Sequence, residues 1–273
     1  MAALWFPHMV NRTPQKPYEM LALAIDKRRR NRTIRKIDTH VPLRSEGRDT
    51  DHCEIHSIVG MLNALPPHEL SYPVQVVHRD RPDFLLKTAT HQIGVEVTEA
   101  VSENTASMDT LRESEPDLTG SKDDDAQFYF PRKAVLGEEK IYPAVLRDMI
   151  RANNPGSGWV GNGAKEWADA MAHVVTSKVE KANKPGFESF TQNWLLIYDN
   201  WDEPARRRDL ADESFLHILR EMSIFQTFDR VLVMDGCELA SFTASPLSGI
   251  LSTSSTWKSS AVAFSTAVPR ASP

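Results

Sequence analysis

Cysteine is scarce in this chain. Cys53 and Cys237 are the only two in 273 residues, too few and too far apart for a disulfide framework or a four-ligand zinc site, so a structural role for both thiols is the expectation. No stretch approaches the run of about 20 apolar residues that a spanning helix needs. The opening MAALWFPHMV also lacks the basic start and long apolar centre of a secretion signal. A cytoplasmic protein without a membrane partner is expected. Internal repeats are lacking too, and nothing in the sequence speaks to oligomeric state. An overall charge of -5, with a pI near 6.0, gives no general attraction to phosphate.

What is present is a globular composition, 41% hydrophobic, in a chain long enough for one sizeable core or a core with arms. Charge is unevenly spread along it. Residues 1–50 hold 11 Lys or Arg against 5 Asp or Glu, with Lys27, Arg28, Arg29, Arg30, Arg32, Arg35 and Lys36 bunched together. This basic N-terminal arm is expected to form an amphipathic helix over PYEMLALAIDKRRRNRTIRKI. The cluster would suit phosphate contacts, although a solvated basic face is an equal reading without interleaved aromatics. Residues 102–126 reverse the balance, with 8 acids against 2 bases and few apolar anchors, which predicts a mobile loop. Asp123, Asp124 and Asp125 in that loop lack the ligand spacing and turn glycine of an EF-hand. From Ser241 the chain turns Ser, Thr and Ala rich, so 241–273 reads as an irregular tail.

Between arm and tail, 51–240 reads as one α/β domain. Ile58, Met61, Leu62 and Leu65 recur at helical spacing, predicting a helix from Glu54 to Leu65 stopped by Pro66 and Pro67. Tyr72–His78, Asp83–Lys87 and Ile93–Thr98 read as three neighbouring strands. Helices are expected around Ile141–Ile150, Lys165–Ala182 and Asp209–Met222, and strands at Asn193–Asp199 and Arg230–Met234. The runs Trp194–Ile197 and Val231–Val233 within the last two strands are apolar throughout, as strands covered on both faces are, so a mixed central sheet flanked by helices is expected.

Chemistry concentrates in RPDFLLKTATHQIGVEVTE. Asp83 opens one strand and Glu96 lies near the end of its partner, where Val95 and Val97 face one side and Glu96 the other. Two carboxylates so placed can converge on a hard divalent cation that takes oxygen ligands, such as Mg²⁺ or Mn²⁺. Such an ion would keep several waters, polarise a phosphoryl oxygen and provide a nucleophile for in-line attack on phosphorus. The bland alternative makes Asp83 a turn residue and Glu96 a solvated edge charge.

Pro82-Asp83 followed by Glu96-Val97-Thr98 resembles the PD-(D/E)XK nuclease superfamily, also called restriction endonuclease-like, over roughly Asp51 to Asp235. The resemblance implies a restriction endonuclease-like core with Asp83 and Glu96 as metal ligands. It also implies a metal-dependent phosphodiesterase or endonuclease acting on DNA or RNA. Thr98 stands where that family has lysine. Some members supply the lysine from a following helix, and the resemblance implies the same here. At about 100° per residue, Lys178 shares a stripe with Trp167, Met171 and Val174, with Lys181 close beside it, so Lys178 is favoured. A snorkelling stem with a wet amine is the competing reading for either lysine.

Glu54 is a further candidate, because the family often has a helical Glu that aids the metal; an acid favouring the helix macrodipole explains it equally well. His52, His56 and His78 have no zinc spacing, and His56 is expected to project away from the apolar side of its helix, so all three are left out of the catalytic set. Two alternatives remain open. One is a nuclease-fold binding or interaction module that has lost turnover, with Thr98 as the mark of that loss. The other is an α/β protein with no nucleic-acid role.

Overall fold

The computed structural model describes residues 19–24, 26–66, 68–119, 136–152, 162–201, 207–236 and 238–245. Its frame is a seven-stranded mixed sheet in the order β1 to β7. The strands are β1 (Glu19–Ala24), β2 (Val74–His78), β3 (Phe84–Lys87), β4 (Gln92–Ala100), β5 (Gln192–Asp199), β6 (Arg230–Asp235) and β7 (Glu238–Phe242). Neighbours from β1 to β4 are antiparallel, β4, β5 and β6 run parallel, and β7 returns antiparallel. The helices are α1 (Lys27–Ile34), α2 (Thr50–Ala64), α3 (Glu103–Ser114), α4 (Pro143–Ala152), α5 (Gly163–Ala182) and α6 (Arg208–Glu221). The parallel pairs are possible because α3 to α5 carry the chain from β4 back to β5, and α6 carries it from β5 to β6. None of the described helices is long and apolar enough to cross a membrane.

Alternation along the strands divides the interior in two. Val74, Val76, Phe84, Leu86, Ile93, Val95, Val97, Trp194 and Leu196 face α2 and meet Ile58, Met61 and Leu62. Leu195, Ile197, Val231 and Val233 face the opposite way and pack with Trp167, Met171 and Val175 of α5 and Phe215 and Leu219 of α6. Covered on both faces, β4 to β6 read as near-continuous apolar runs. A third, small cluster of Met108, Leu118, Leu146 and Ile150 joins α3 to α4.

Several boundaries differ from expectation. The segment expected as one amphipathic helix splits: Glu19–Ala24 pairs with β2, and only Lys27–Ile34 is helical, started by Asp26, whose carboxylate accepts from the Arg29 N–H at 2.8 Å. Met, Leu and Ala are good helix formers, but an open edge on β2 satisfies a row of main-chain groups, and tertiary pairing overrides propensity. The 1–50 arm therefore contributes a strand to the sheet. Helix α2 begins at Thr50, four residues before Glu54, because Asp49 and His52 form a reciprocal cap: the Asp49 carboxylate accepts from His52 N–H at 3.1 Å, and His52 Nδ1 from Asp49 N–H at 3.2 Å. The expected mobile acidic loop begins with α3, capped by Ser102 and tethered where Asn104 bonds the Glu139 carbonyl at 2.8 Å and the Ile141 N–H at 2.8 Å. Residues 120–126 of that loop lie outside the described residues. The tail boundary also moves, since Ser241 and Phe242 belong to β7 and pair with β6; residues 246–273 lie outside the described residues, as does Cys237.

Candidate functional site

Strand β3 is shorter than β4, and that mismatch makes the site. The ladder pairs Phe84 with Val95 and then ends, while β4 runs on to Ala100. Continued by one step, the same register sets Asp83 opposite Glu96. A strand residue points its N–H and C=O toward the same neighbour, so Val97 presents both groups where β3 has already ended. Side chains satisfy them instead. Asp83 accepts from the Val97 N–H at 2.6 Å, and Lys178 donates to the Val97 carbonyl at 2.7 Å.

The Lys178 amine also bonds Glu96 Oε1 at 2.6 Å, with the two side chains 13% and 11% exposed. Glu96 leaves the sheet on the α5 side, opposite to Val95 and Val97 on the α2 side, as alternation predicts. Lys178 lies on the stripe of α5 that holds the buried Trp167 and Met171, so its stem runs inward. Lys181 is exposed.

Glu54 approaches from α2. It stands in the second turn of the helix, beyond the reach of the first-turn dipole that would otherwise explain an acid there. Its Oε2 lies 2.9 Å from His78 Nε2, and the His78 ring stacks on Phe84 with centroids 4.7 Å apart and planes at 21°. Burial raises the Asp83 carboxyl to about 8. The charges of Glu54 and Glu96 push in the same direction, and the Val97 N–H and Lys178 offset only part of the rise. Burial disfavours the charged His78 ring, yet the hydrogen bond and charge of Glu54, with Asp51 and Asp83 behind it, leave its pKa raised. These shifts describe a pocket with more negative charge than its one lysine balances.

Of the four residues singled out from sequence, Lys178 bonds Glu96, Asp83 bonds the adjacent Val97 N–H, and Glu54 bonds His78 and reaches Asp83 through its charge. Two more belong to the neighbourhood and escaped the sequence reading. They are His78, which the lack of zinc spacing leaves out, and Asp51. The i, i+3 spacing of Asp51 and Glu54 is the signal that places both on one side of a helix. His56 differs from expectation in another way: it is buried, with Nδ1 3.1 Å from the Thr39 carbonyl, and burial lowers its pKa. The connection from α1 to α2 covers that side of the helix. Cys53 is buried and free, its sulfur accepting from Arg48 at 3.0 Å, while Arg48 bonds Glu99 at 2.6 Å, consistent with a structural thiol.

Comparison with protein-family models, curated proteins and solved structures found no match to this chain. Asp83, Glu96 and Glu54 all offer oxygen, the donor type that Mg²⁺ or Mn²⁺ takes, but among the described residues the group whose ligand atoms lie within 4.8 Å of one another is Asp51, Glu54 and His78.

Proposed function

We propose that this chain is a metal-dependent phosphodiesterase acting on DNA or RNA, of the PD-(D/E)XK or restriction endonuclease-like kind, with Mg²⁺ or Mn²⁺ as its ion. The observation that supports it is the place of Lys178. Thr98 cannot carry a cation, yet an amine from α5 lies 2.6 Å from Glu96 and 2.7 Å from the Val97 carbonyl, where a lysine from β4 would otherwise be sought.

Asp83 and Glu96 would hold the ion, with Glu54 assisting. When bound, it would stabilise negative charge on a phosphoryl oxygen and lower the pKa of an attacking water. The chain's own groups do the rest. An ammonium has three N–H donors; two of Lys178's bind Glu96 and Val97, leaving one to orient a water for in-line attack. Its charge offsets that of the phosphate approaching a carboxylate-rich pocket. The Val97 N–H keeps Asp83 aimed into the notch. Arg28, Arg29, Arg32, Arg35 and Lys36, exposed on and just after α1, supply cations for the nucleic-acid backbone. A cytoplasmic setting suits the free Cys53 thiol.

A nuclease-fold binding module without turnover is the second reading, and Thr98 is the residue that favours it. Incubation of purified protein with plasmid and with RNA in Mg²⁺ or Mn²⁺ separates the two. Cleavage abolished by EDTA, by Asp83→Ala and by Lys178→Met, but retained in Lys181→Met, is the expected result. Salt-dependent binding without cleavage would select the module, and cleavage persisting in Asp83→Ala would refute the assigned site.

A further inference from the structure

Beside the Asp83 and Glu96 pair lies a group of different chemistry. Asp51 and Glu54 stand three residues apart on α2, and His78 ends β2 directly opposite them. One ligand atom from each lies within 4.8 Å of the others. Cations at metal–ligand distances near 2.1 Å hold adjacent ligand atoms roughly 3.0–3.5 Å apart and opposed ones about 4.2 Å apart. Glu54 Oε2 and His78 Nε2, at 2.9 Å, already have the separation of adjacent ligands. Small side-chain rotations bring in Asp51.

The imidazole is fixed before any ion arrives. Its flat stacking on Phe84 sets the ring plane, and Phe84 is fully buried between β3 and α2. The two side chains that meet are 10% and 19% exposed, so an ion there would lose much of its hydration and depend on these ligands. Nitrogen in the set changes the preference of the site. Imidazole favours Mn²⁺, Zn²⁺ and other first-row ions over Mg²⁺, whereas the all-oxygen notch next to it does not discriminate in that way.

We propose that Asp51, Glu54 and His78 form a second cation site, selective for a first-row divalent transition ion over Mg²⁺. Glu54 lies between this site and the Asp83 and Glu96 notch, close enough for its charge to act on Asp83. Binding at the trio requires no hydrolysis, so the site stands even for a chain that cuts nothing.

The test uses the full chain stripped with EDTA and titrated with Mn²⁺, with free ion followed by electron paramagnetic resonance, heat by calorimetry, and Mg²⁺ added as competitor. Two Mn²⁺ per chain are expected, one of them resisting Mg²⁺. Asp83→Ala should keep the resistant ion. His78→Phe, which preserves the stack on Phe84, and Asp51→Asn should each weaken it at least tenfold while thermal unfolding shows both variants folded. Unchanged Mn²⁺ stoichiometry and affinity in both variants, or a single Mn²⁺ site that Mg²⁺ displaces fully, would overturn the proposal. The two readings fail separately: cleavage supported by one ion alone removes only the second site, and Mn²⁺ held by the trio in a chain without cleavage removes only the hydrolytic reading.

Discussion

Lys178→Met isolates the interaction on which the notch depends. Methionine keeps an unbranched stem of similar length, so packing of the stem survives while the charge and both hydrogen bonds vanish. The loss is large because of where the pair sits. At 2.6 Å, opposite charges attract by about 6 kcal/mol for an effective dielectric near 20, and desolvation of both ions offsets much of that. Removing one partner leaves the other cost standing: Glu96 becomes a buried carboxylate with no cation, and the Val97 carbonyl loses its donor. Breaking such a pair costs about 3–5 kcal/mol. At about 2–4 °C per kcal/mol for a chain of this size, the midpoint should fall by roughly 10 °C. Lys181→Met, on the exposed side of the same helix, should shift it by no more than about 1 °C. Adding Glu96→Gln to Lys178→Met should recover at least half the loss, since the orphaned charge is then gone. Urea and thermal unfolding in EDTA measure all four proteins. Equal stability of Lys178→Met and Lys181→Met, or no recovery in the double variant, would refute the buried pair and with it the assignment of Lys178.

The Asp83 carboxyl, held up to about 8 by burial and by Glu54 and Glu96, sets a pH dependence. Between about pH 4 and pH 8 the folded chain keeps a proton that the unfolded chain releases, so metal-free stability should decline by on the order of 5–6 kcal/mol across that window and level off above it. Asp83→Asn should flatten the decline and be the more stable protein at pH 8 in EDTA, whereas saturating Mg²⁺ should stabilise only the parent; thermal scans across pH with no such slope would count against the charge-crowded pocket. Gly94→Ala should cost about 1–3 kcal/mol by overpacking, because an added Cβ would lie 2.7 Å from Phe190 and 2.8 Å from Pro82, and denaturant midpoints measure it. Trp167→Phe removes the indole bond to Asp199 at 2.8 Å and should cost about 1 kcal/mol in the same assay.

Periodicity carried much of the fold. The apolar runs Trp194–Ile197 and Val231–Val233, and the helical spacing along α5, lead directly to β5, β6 and the inward stem of Lys178, because each pattern reflects a face that must be buried wherever the chain folds. β1 and β7 were invisible for a matching reason. Each is a short edge strand whose residues have no strand signature of their own, and only the exposed margins of β2 and β6 make them extended. Helix α3 was hidden by its charge: it is held by Met108 packing on α4 and by Asn104, contacts that composition does not reveal.

The site divides in the same way. Pro82-Asp83 and Glu96 could be picked out along the chain by their resemblance to a known motif, and strand alternation set the face from which Glu96 projects. Glu54, His78 and Asp51 could not be joined by spacing, since 24 residues separate Glu54 from His78 and their meeting requires α2 to lie across the end of β2. Sequence by itself determined the α/β class and the stripe on which Lys178 lies, both set by local geometry. Tertiary structure alone decided that β3 stops short of β4, and this leaves Val97 with main-chain groups that a carboxylate and an amine from distant segments must satisfy.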